Sequence, residues 1–322
     1  MTGGEVDALA TRAAWMYHEY GLTQQEIAGR LGVSRSTISR ALQRAEATGI
    51  VEIRVTVPLP ELAQLESDLL GVYPALREVR VAALRAGESP RTATARATAR
   101  IFEVLLAAGT PTIAVGWGRT LAEAATLIHT RSVRSSRLVD AIGHAHGIRG
   151  AAAMDVSSVL GSAFSVEAVH VPAPALVRDE KVASGLLATA AVRHAIDLAR
   201  GAEVTVISIG AVADDTPLLA TDLLSRAELG SLVERGAVGD LLGSFFSATG
   251  ETIAESGAHW IGLGIEDLRL SKDVIAVAGG AGKLQAVKGA IATGVVDRLV
   301  TDEETARDLL NEAHGFTPAP RP

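Results

Sequence analysis

The stretch Leu22–Leu42, LTQQEIAGRLGVSRSTISRAL, decides how the N-terminal part of the chain folds. Thr23 and Glu26 have the spacing of a capping box, in which each side chain accepts a hydrogen bond from the other residue's backbone amide, and this predicts the start of a short helix. Gly32 supplies a turn, and Ser34 is placed to cap the next helix. Two short helices joined by a tight turn are typical of a helix-turn-helix motif.

The apolar residues of this stretch have the positions needed to hold the two helices together. A further helix over residues 5–20 precedes them, and a strand over residues 50–57 follows, as in a winged helix-turn-helix domain. The residues that we expect to pack around the turn are Ile27, Ala28, Leu31, Val33, Ile38 and Leu42.

The outward surface of the second helix is rich in hydroxyl and guanidinium groups, which suit base edges and phosphates in the DNA major groove. Polar residues at the start of the first helix are placed to hold a phosphate. The predicted DNA-binding residues are Thr23, Gln24, Gln25, Ser34, Arg35, Ser36, Thr37, Ser39, Arg40 and Arg44. An unrelated three-helix bundle that binds protein is the alternative.

The charge of the whole chain and the charge of this segment point in opposite directions. The net charge is −7, whereas nucleic-acid binding needs positive potential. Between Arg30 and Arg54, however, five arginines stand against two glutamates, a local charge of +3. Such a cluster fits a DNA-binding surface or an ordinary solvated helix surface.

The composition excludes several classes of protein. At 322 residues the chain is longer than most single domains, so we expect two cores. The absence of cysteine excludes disulfides, thiolate catalysis and cysteine-ligated zinc. No apolar stretch is long enough to span a membrane, and the N-terminus lacks the pattern of a secretory signal, so we expect a cytoplasmic protein with no membrane partner.

The sequence pattern divides the chain into four segments. We predict a helix-turn-helix domain in residues 1–57, a linker helix in residues 58–76, a large α/β domain in residues 77–316 and a loose tail in residues 317–322. The linker carries an apolar stripe at helical spacing, which suits packing either on a second subunit or on its own chain. The stripe consists of Leu59, Leu62, Leu65, Leu69 and Val72.

Apolar segments alternate with helical ones beyond residue 77. Several of them, such as VTVISI in residues 204–209, are almost continuously apolar, which is typical of parallel strands covered on both faces. We predict an open, doubly wound, mostly parallel sheet whose ligand crevice lies at the carboxyl ends of the strands. The predicted strands are Glu78–Leu84, Thr112–Trp117, Arg137–Ile142, Val166–Val171, Glu203–Ile209, Trp260–Leu263, Asp273–Ala278 and Arg298–Thr301.

Five motifs follow one another in this large domain: VGWGRTL in residues 115–121, GAVGD in 236–240, the pair Phe245-Phe246, AGGAGK in 278–283 and LVTDEETA in 299–306. Together with the helix-turn-helix pattern, this ordered set resembles the SorC family of sugar-responsive bacterial regulators over nearly the whole chain. The resemblance implies an effector domain related in fold to glucosamine-phosphate deaminases and ribose-phosphate isomerases. It further implies that this domain binds sugars, polyols or their phosphates without catalysis, and that the protein forms a homo-oligomer, a dimer or a tetramer, on DNA.

Two glycine-rich loops follow predicted strands in this domain. Gly116 and Gly118 allow close backbone approach before a helix that begins near Arg119, so free amides and a guanidinium can converge on an anion. The loop after Val277 ends in Lys283 and offers the same combination. Either loop can also be an ordinary tight turn.

The remaining effector-binding residues come from acidic and loop positions. We assign Asp240 to sugar hydroxyls, because an ionised carboxylate accepts several hydrogen bonds, with a helix N-cap as its alternative role. The resemblance adds the loops around Gly143 and Ala173. It also argues against a bisphosphate effector, because the family's regulator of glycolytic genes has an arginine for a second phosphate where this chain has Ile142. The full predicted set is Gly116, Trp117, Gly118, Arg119, Thr120, Gly143, His144, Pro172, Ala173, Pro174, Gly239, Asp240, Gly279, Gly280 and Lys283.

His144 and His146 have the spacing of a metal-ligand or acid–base pair. No third ligand is evident in the sequence, so we expect a pocket lining rather than a metal site. We accordingly predict no metal, no cofactor and no catalytic residue.

These features predict a DNA-binding transcriptional regulator of a carbohydrate or polyol catabolic operon. Its partners are double-stranded operator DNA and a sugar, polyol or sugar-phosphate effector that changes operator affinity. One alternative is a sugar-phosphate isomerase or deaminase with an accessory DNA-binding domain, in which Asp240 or His144 serves as the base. A DNA-binding scaffold with a vestigial pocket is another.

Overall fold

The computed structural model describes residues 3–51, 59–128, 136–145, 155–221, 223–254, 257–280 and 282–312. The chain folds into two compact units, Met1–Pro58 and Leu59–Pro322. Each unit has hydrophobic core residues of its own, nine in the first and a much larger number in the second. The two units are therefore described separately.

The N-terminal unit consists of the helices α1 (Gly3–His18), α2 (Gln24–Leu31) and α3 (Arg35–Ala47). The predicted capping box is confirmed, because the Glu26 amide donates to Thr23 Oγ1 at 3.3 Å and the Thr23 amide donates to the Glu26 carboxylate at 2.8 Å. Gly32 adopts the left-handed conformation at the turn, with φ of +66°. Ser34 then caps α3 by accepting from the Thr37 amide at 3.1 Å.

The core of this unit is built from small and branched side chains. Ile27, Ala28, Ile38 and Leu42 are buried as predicted, together with five alanines that allow α1 and α3 to approach closely. Leu31 and Val33 pack against this core while remaining partly exposed. The strand predicted over residues 50–57 lies, from residue 52 onward, outside the described residues.

The C-terminal unit alternates helices and strands. Its helices are α4 (Pro60–Val72), α5 (Pro90–Ala107), α6 (Arg119–Thr126), α7 (Val156–Phe164), α8 (Glu180–Ala188), α9 (Ala190–Arg200), α10 (Pro217–Ala220), α11 (Arg226–Glu234), α12 (Ile265–Leu270), α13 (Leu284–Ala292) and α14 (Glu303–Asn311). Its strands are β1 (Glu78–Ala82), β2 (Thr112–Val115), β3 (Arg137–Asp140), β4 (Glu167–Val169), β5 (Leu176–Val177), β6 (Val204–Ala211), β7 (Ala237–Leu241), β8 (Ser244–Ser247), β9 (Thr252–Ile253), β10 (His259–Trp260), β11 (Val274–Val277) and β12 (Arg298–Asp302).

Seven strands form the predicted parallel sheet, in the order β1-β12-β11-β6-β2-β3-β4. Successive residues of its strands enter different cores on its two faces: Val274 and Ala276 of β11 belong to one core cluster, and Ile275 and Val277 to the other. The sheet is therefore covered on both faces, which explains the continuously apolar strand sequences. The chain runs from β2 outward to β3 and from β6 outward to β11 on the opposite side, so the sheet order reverses between β2 and β6.

Four strands, β5 and β7 to β9, were not predicted, and one was placed in the wrong sheet. β7, β8 and β9 form an antiparallel extension that pairs with the end of β6. β7 and β8 are joined by Leu242-Gly243, both at positive φ, which is the geometry of a two-residue hairpin turn. The predicted strand Trp260–Leu263 is instead the short β10, which pairs antiparallel with β5 outside the main sheet. Leucine is unusual at positive φ, so residue 242 carries no recognisable turn pattern.

Helices α8 and α9 meet at Thr189 and are bent by 79°. In the described part of the chain no single helix is long and apolar enough to cross a membrane, and this pair passes that test only when both helices are taken together. The apolar side of α9 packs in the core of the C-terminal unit through Val192, Ala195, Ile196 and Ala199.

The apolar stripe of α4 packs on its own chain, which decides between the two alternatives left open by the sequence. Leu62, Leu65 and Leu69 are buried, and α4 lies against β1 and α14. The hydroxyl of Tyr73, just after the helix, donates to the Leu309 carbonyl at 3.2 Å. Leu59, which precedes the helix, is 57% exposed. The helix predicted as a linker thus belongs to the C-terminal core.

We predict that Leu69→Ala lowers the free energy of unfolding of the C-terminal unit by about 2–5 kcal/mol, because it leaves a cavity in a fully buried site. Leu59→Ala is the matched control and should change it by less than about 0.5 kcal/mol. Urea unfolding followed by circular dichroism measures both values. Equal losses in the two variants would contradict this packing.

Candidate functional site

Most of the polar residues predicted to bind DNA lie on α3 or at its N-cap, whereas Thr23, Gln24 and Gln25 lie at the start of α2. Arg35, Ser36 and Arg40 are exposed, whereas Thr37 and Ser39 are partly buried. The Ser34 hydroxyl is within 2.8 Å of the hydroxyls of Ser36 and Thr37, so this end of α3 forms a compact group of hydroxyls. Arg35 and Arg40 are thus available to phosphates or bases, with no ion-pair partner recorded for either within the described residues.

Besides the hydroxyls at the start of α3 and Arg40, whose Nε donates to the Ser36 carbonyl at 3.4 Å, two more of the predicted DNA contacts have partners in the protein. The Arg44 guanidinium forms an ion pair with Asp7 of α1 at 2.9 Å, which ties α3 to α1. The Thr23 hydroxyl takes part in the capping box, where the hydrogen bonds from Thr23 hold the pKa of the Glu26 carboxyl below its usual value. Asp7 gave no signal in the sequence, since its partner is 37 residues away.

The loop after β2 approaches β6 where the sheet order reverses. A Cβ atom on Gly118, which has φ of +134°, would lie 2.5 Å from Ser208 Oγ, and one on Gly116 would lie 2.9 Å from a methyl group of Leu242. At position 118 the close approach therefore requires glycine, as predicted, whereas at position 116 a shift of the Leu242 methyl group would make room for a Cβ atom. No side chain caps the N-terminus of α6, which starts directly after Gly118.

Lys283 and Asp240 converge on the end of β6. Lys283 Nζ donates to the Ile209 carbonyl at 3.0 Å, and Asp240 pairs across from Gly210 in the antiparallel ladder. Burial lowers the pKa of Lys283 and raises the pKa of Asp240, while the attraction between the two charges opposes both shifts. Asp240 lies in a strand, so its alternative role as a helix N-cap is wrong.

Glycine at position 210 makes room for the Asp240 carboxylate. A Cβ atom on Gly210 would overlap with Asp240 Oδ1, and the Gly243 amide donates to Asp240 Oδ2 at 3.1 Å. The hairpin turn therefore orients the carboxylate over the end of β6. Gly239, the other predicted residue of this motif, packs against the Gly210 carbonyl and Phe246.

Arg119 adds a second positive charge at this edge. Its guanidinium forms an ion pair with Asp215 at 2.9 Å, and this hydrogen bond lowers the pKa of the Asp215 carboxyl. The two side chains are 41% and 74% exposed, so the pair exchanges readily for another anion. Thr120, in the first turn of α6, is buried.

Ser208 was missed by the sequence analysis. Its hydroxyl is buried at the carboxyl end of β6 and has no hydrogen-bond partner in the part of the chain that the structure describes. A buried hydroxyl without a partner is costly, so a ligand that bonds it gains affinity. Its position between two apolar residues of a strand hid this role in the sequence.

The second glycine-rich loop is less open than we expected. The Gly280 amide donates to the Asp302 carboxylate at 2.8 Å, and Asp302 also caps α14 through the amides of Glu304 and Thr305. A Cβ atom on Gly279 would overlap with the Thr94 hydroxyl. The Gly280 amide is thus already bonded within the protein, and Lys283 is the group that this loop brings to the edge.

The two loops added by the resemblance lie against each other. The His144 amide donates to the Ala173 carbonyl at 2.9 Å, and a Cβ atom on Gly143 would lie 2.5 Å from that same oxygen. Trp117 is buried and meets Trp260 edge to face, with ring centroids 6.1 Å apart. Ile142 is buried and forms a β-bridge with Gly262.

His144 has neighbours that the sequence analysis did not identify. Asp140 and His170 lie beside it at the ends of β3 and β4, and the three residues can offer ligand atoms within 4.8 Å of one another. β3 and β4 were predicted as consecutive strands. The expectation that consecutive parallel strands lie side by side could therefore have suggested that Asp140 and His170, at their carboxyl ends, lie close together. His146 lies outside the described residues.

Comparison with known proteins identifies both parts of the chain. Residues 58–311 match the family model described as "Putative sugar-binding domain", and residues 8–52 match a homeodomain-like domain. The erythritol catabolism regulatory protein EryD of Brucella abortus is 28% identical, over 96% of this chain and 98% of that protein. The transcriptional regulator LsrR of an Enterobacter species is 30% identical, over 94% of this chain and 93% of that protein.

A solved structure has the same arrangement of elements. The full-length sorbitol operon regulator SorC of Klebsiella pneumoniae superposes with a TM-score of 0.75 and 25% identity, covering 94% of this chain and 98% of that chain. A sugar-binding family model thus covers most of the sequence, a helix-turn-helix precedes it, and regulators of this type match along nearly their whole length. This chain belongs to the SorC family of sugar-binding transcriptional regulators.

Proposed function

We propose that the protein regulates a carbohydrate or polyol catabolic operon, and that its operator affinity changes when a sugar, a polyol or a sugar monophosphate binds at the carboxyl edge of its sheet. The observation that carries this proposal is the convergence of Lys283 and Asp240 on the end of β6, near the Ser208 hydroxyl, which has no hydrogen-bond partner among the described residues. In open α/β sheets, ligands bind where the strand order reverses. The names of two similar proteins mention erythritol and sorbitol, both polyols.

The chemistry of this edge suits a polyhydroxylated ligand with one anionic group. Asp240 is an acceptor for two or more ligand hydroxyls. Lys283, Arg119 and the uncapped start of α6 favour a negative charge on the same ligand. A second phosphate has no corresponding cation at Ile142, which supports a monophosphate or a neutral polyol over a bisphosphate.

Recognition of DNA requires more than one copy of the short α3 reading surface. One recognition helix contacts only a few bases, so helix-turn-helix proteins bind paired half-sites as symmetric oligomers. We therefore include a homo-oligomer, a dimer or a tetramer, in the proposal. Sedimentation of the free protein and of its operator complex measures the number of chains.

Effector and DNA binding are coupled through the equilibrium between two arrangements of the oligomer. An effector that binds one arrangement more tightly shifts the population toward it, and this changes the spacing of the paired α3 recognition helices. The coupling is reciprocal, so operator DNA changes effector affinity by the same factor. The proposed role is binding without turnover, so we expect sugar phosphates incubated with the protein to remain unchanged.

We predict that Arg40→Ala weakens binding to a duplex selected from a random pool, by about 1–3 kcal/mol if Arg40 contacts a base. If Arg40 instead contacts a phosphate, its loss weakens binding to all sequences alike. The slope of the logarithm of the binding constant against the logarithm of the salt concentration then falls in magnitude by about one. Arg12→Ala on α1 is the control, since it removes the same charge from another exposed position of the unit. Fluorescence anisotropy at several salt concentrations measures both. If both variants lost the same affinity for the duplex, Arg40 would contribute only through its charge, and the assignment of α3 as the DNA-reading helix would be contradicted.

We predict that a monophosphate effector binds about 10- to 150-fold more weakly to Lys283→Met, because a hydrogen bond to a charged group contributes about 1.5–3 kcal/mol. Lys272→Met is the matched control, since Lys272 precedes β11 whereas Lys283 follows it, so the two lysines lie at opposite edges of the sheet.

A thermal-shift screen of sugars, polyols and their monophosphates finds the ligand, since a ligand at 100 times its Kd stabilises the folded protein by about 2.7 kcal/mol. Titration calorimetry then gives the affinities of the wild type and both variants. An effector whose affinity is the same in Lys283→Met and in the wild type would contradict the placement of its anionic group beside Lys283.

A further inference from the structure

Three side chains of metal-ligand type lie together at the carboxyl ends of β3 and β4. Asp140, His144 and His170 each offer one ligand atom, and these atoms all lie within 4.8 Å of one another. The proposed function gives no role to Asp140 or His170. Their conjunction is fixed by the fold, because β3 and β4 pair in parallel up to Val139 and Val169, the residues just before Asp140 and His170.

The distances fit a shared metal ion. His170 Nδ1 is 3.0 Å and His144 Nδ1 is 3.9 Å from the same oxygen, Asp140 Oδ2. Two ligands of a tetrahedral Zn²⁺ lie about 3.3 Å apart, because each is about 2.0 Å from the metal. The observed separations of 3.0 Å and 3.9 Å lie on either side of this value.

Hydrogen bonds from α7 hold two of the ligands in place. The Ser158 hydroxyl lies 3.1 Å from His170 Nε2, the ring nitrogen that points away from the cluster. The Ser157 hydroxyl donates to the other Asp140 oxygen, and the Val171 amide adds a bond to Oδ2 at 3.3 Å. Metal-binding histidines and carboxylates characteristically have such outer partners, which fix the orientation of the ring and the acid.

The cluster is only partly buried, so an ion can reach it from solvent. The Asp140 side chain is 11% exposed, and both histidine side chains are 36% exposed. A metal therefore reaches the site from solvent while its anionic ligand stays mostly enclosed. Three protein ligands leave one tetrahedral position for water, as in zinc sites that bind further ligands.

We propose that Asp140, His144 and His170 form a binding site for a divalent transition metal ion, Zn²⁺ or an ion of similar preference. The ion connects the loop after β3 with the loop after β4. His144 and Ala173 belong to these loops and to the predicted effector set, so metal binding rigidifies one wall of the effector site. This consequence rests on the proposed function; the metal site itself does not.

The test uses the full-length protein, freed of any affinity tag and stripped with a chelator. Titration calorimetry with ZnCl₂ and visible absorption with CoCl₂ should both show one ion per chain. His170→Ala should weaken binding by more than about 100-fold, since loss of even an outer partner costs 10- to 100-fold. Ser158→Ala should weaken it by about tenfold on the same scale. His194→Ala is the control, because His194 is an exposed histidine of α9 outside the cluster.

Intense cobalt bands that are lost in His170→Ala and retained in His194→Ala would support the site. Circular dichroism checks that the His170 variant is folded, and His144→Gln provides a second variant with a smaller change of shape. Equal zinc affinity in the wild type and in both ligand variants would overturn the proposal and leave Asp140 and His170 as a hydrogen-bonded pair. Effector binding by metal-free protein would leave the proposed function intact under either result.

Discussion

The C-terminal unit depends on the strand β6, which pairs with three other strands at once. Residues 205–208 of β6 pair in parallel with β11, and residues 204–206 pair in parallel with β2. Residues 209–211 pair instead with the antiparallel strand β7. This change of partner brings the carbonyl of Ile209, the hydroxyl of Ser208 and the carboxylate of Asp240 to one place. Glycine is required at positions 118 and 210 because a Cβ atom there would overlap with the Ser208 side chain and with the Asp240 carboxylate, respectively.

Charge at this edge is held at an energetic cost. Asp240 is buried and, among the described residues, accepts one hydrogen bond, from the Gly243 amide; burial lowers the pKa of Lys283 although the carboxylate attracts it. Elsewhere in the sheet, a buried carboxylate such as Asp302 accepts hydrogen bonds from three backbone amides and a hydroxyl. The contrast suits a binding role, since polar groups kept short of partners bind a ligand that supplies them.

Much of this architecture follows from patterns that are local in sequence. Capping residues such as Thr23 and Ser34, the alternation within β11 and the glycines after β2 each act over a few residues, and each predicted its element. The misses depend on distant residues. The Arg44–Asp7 pair, the Asp302 bond to Gly280 and the Asp140–His170 contact join positions brought together only by the fold. The β7–β8 hairpin was missed because Leu242 is held at positive φ by burial rather than by its own preference.

A ligand bound at the end of β6 should change the affinity of α3 for DNA. The most direct test is the operator Kd measured with and without a saturating amount of the sugar, polyol or monophosphate that stabilises the protein most. We expect the operator Kd to change by about 5- to 150-fold in the wild type, the usual range of coupling between two sites, and to change little in Asp240→Asn at the same ligand concentration. An operator Kd that is the same with and without a bound effector would contradict it.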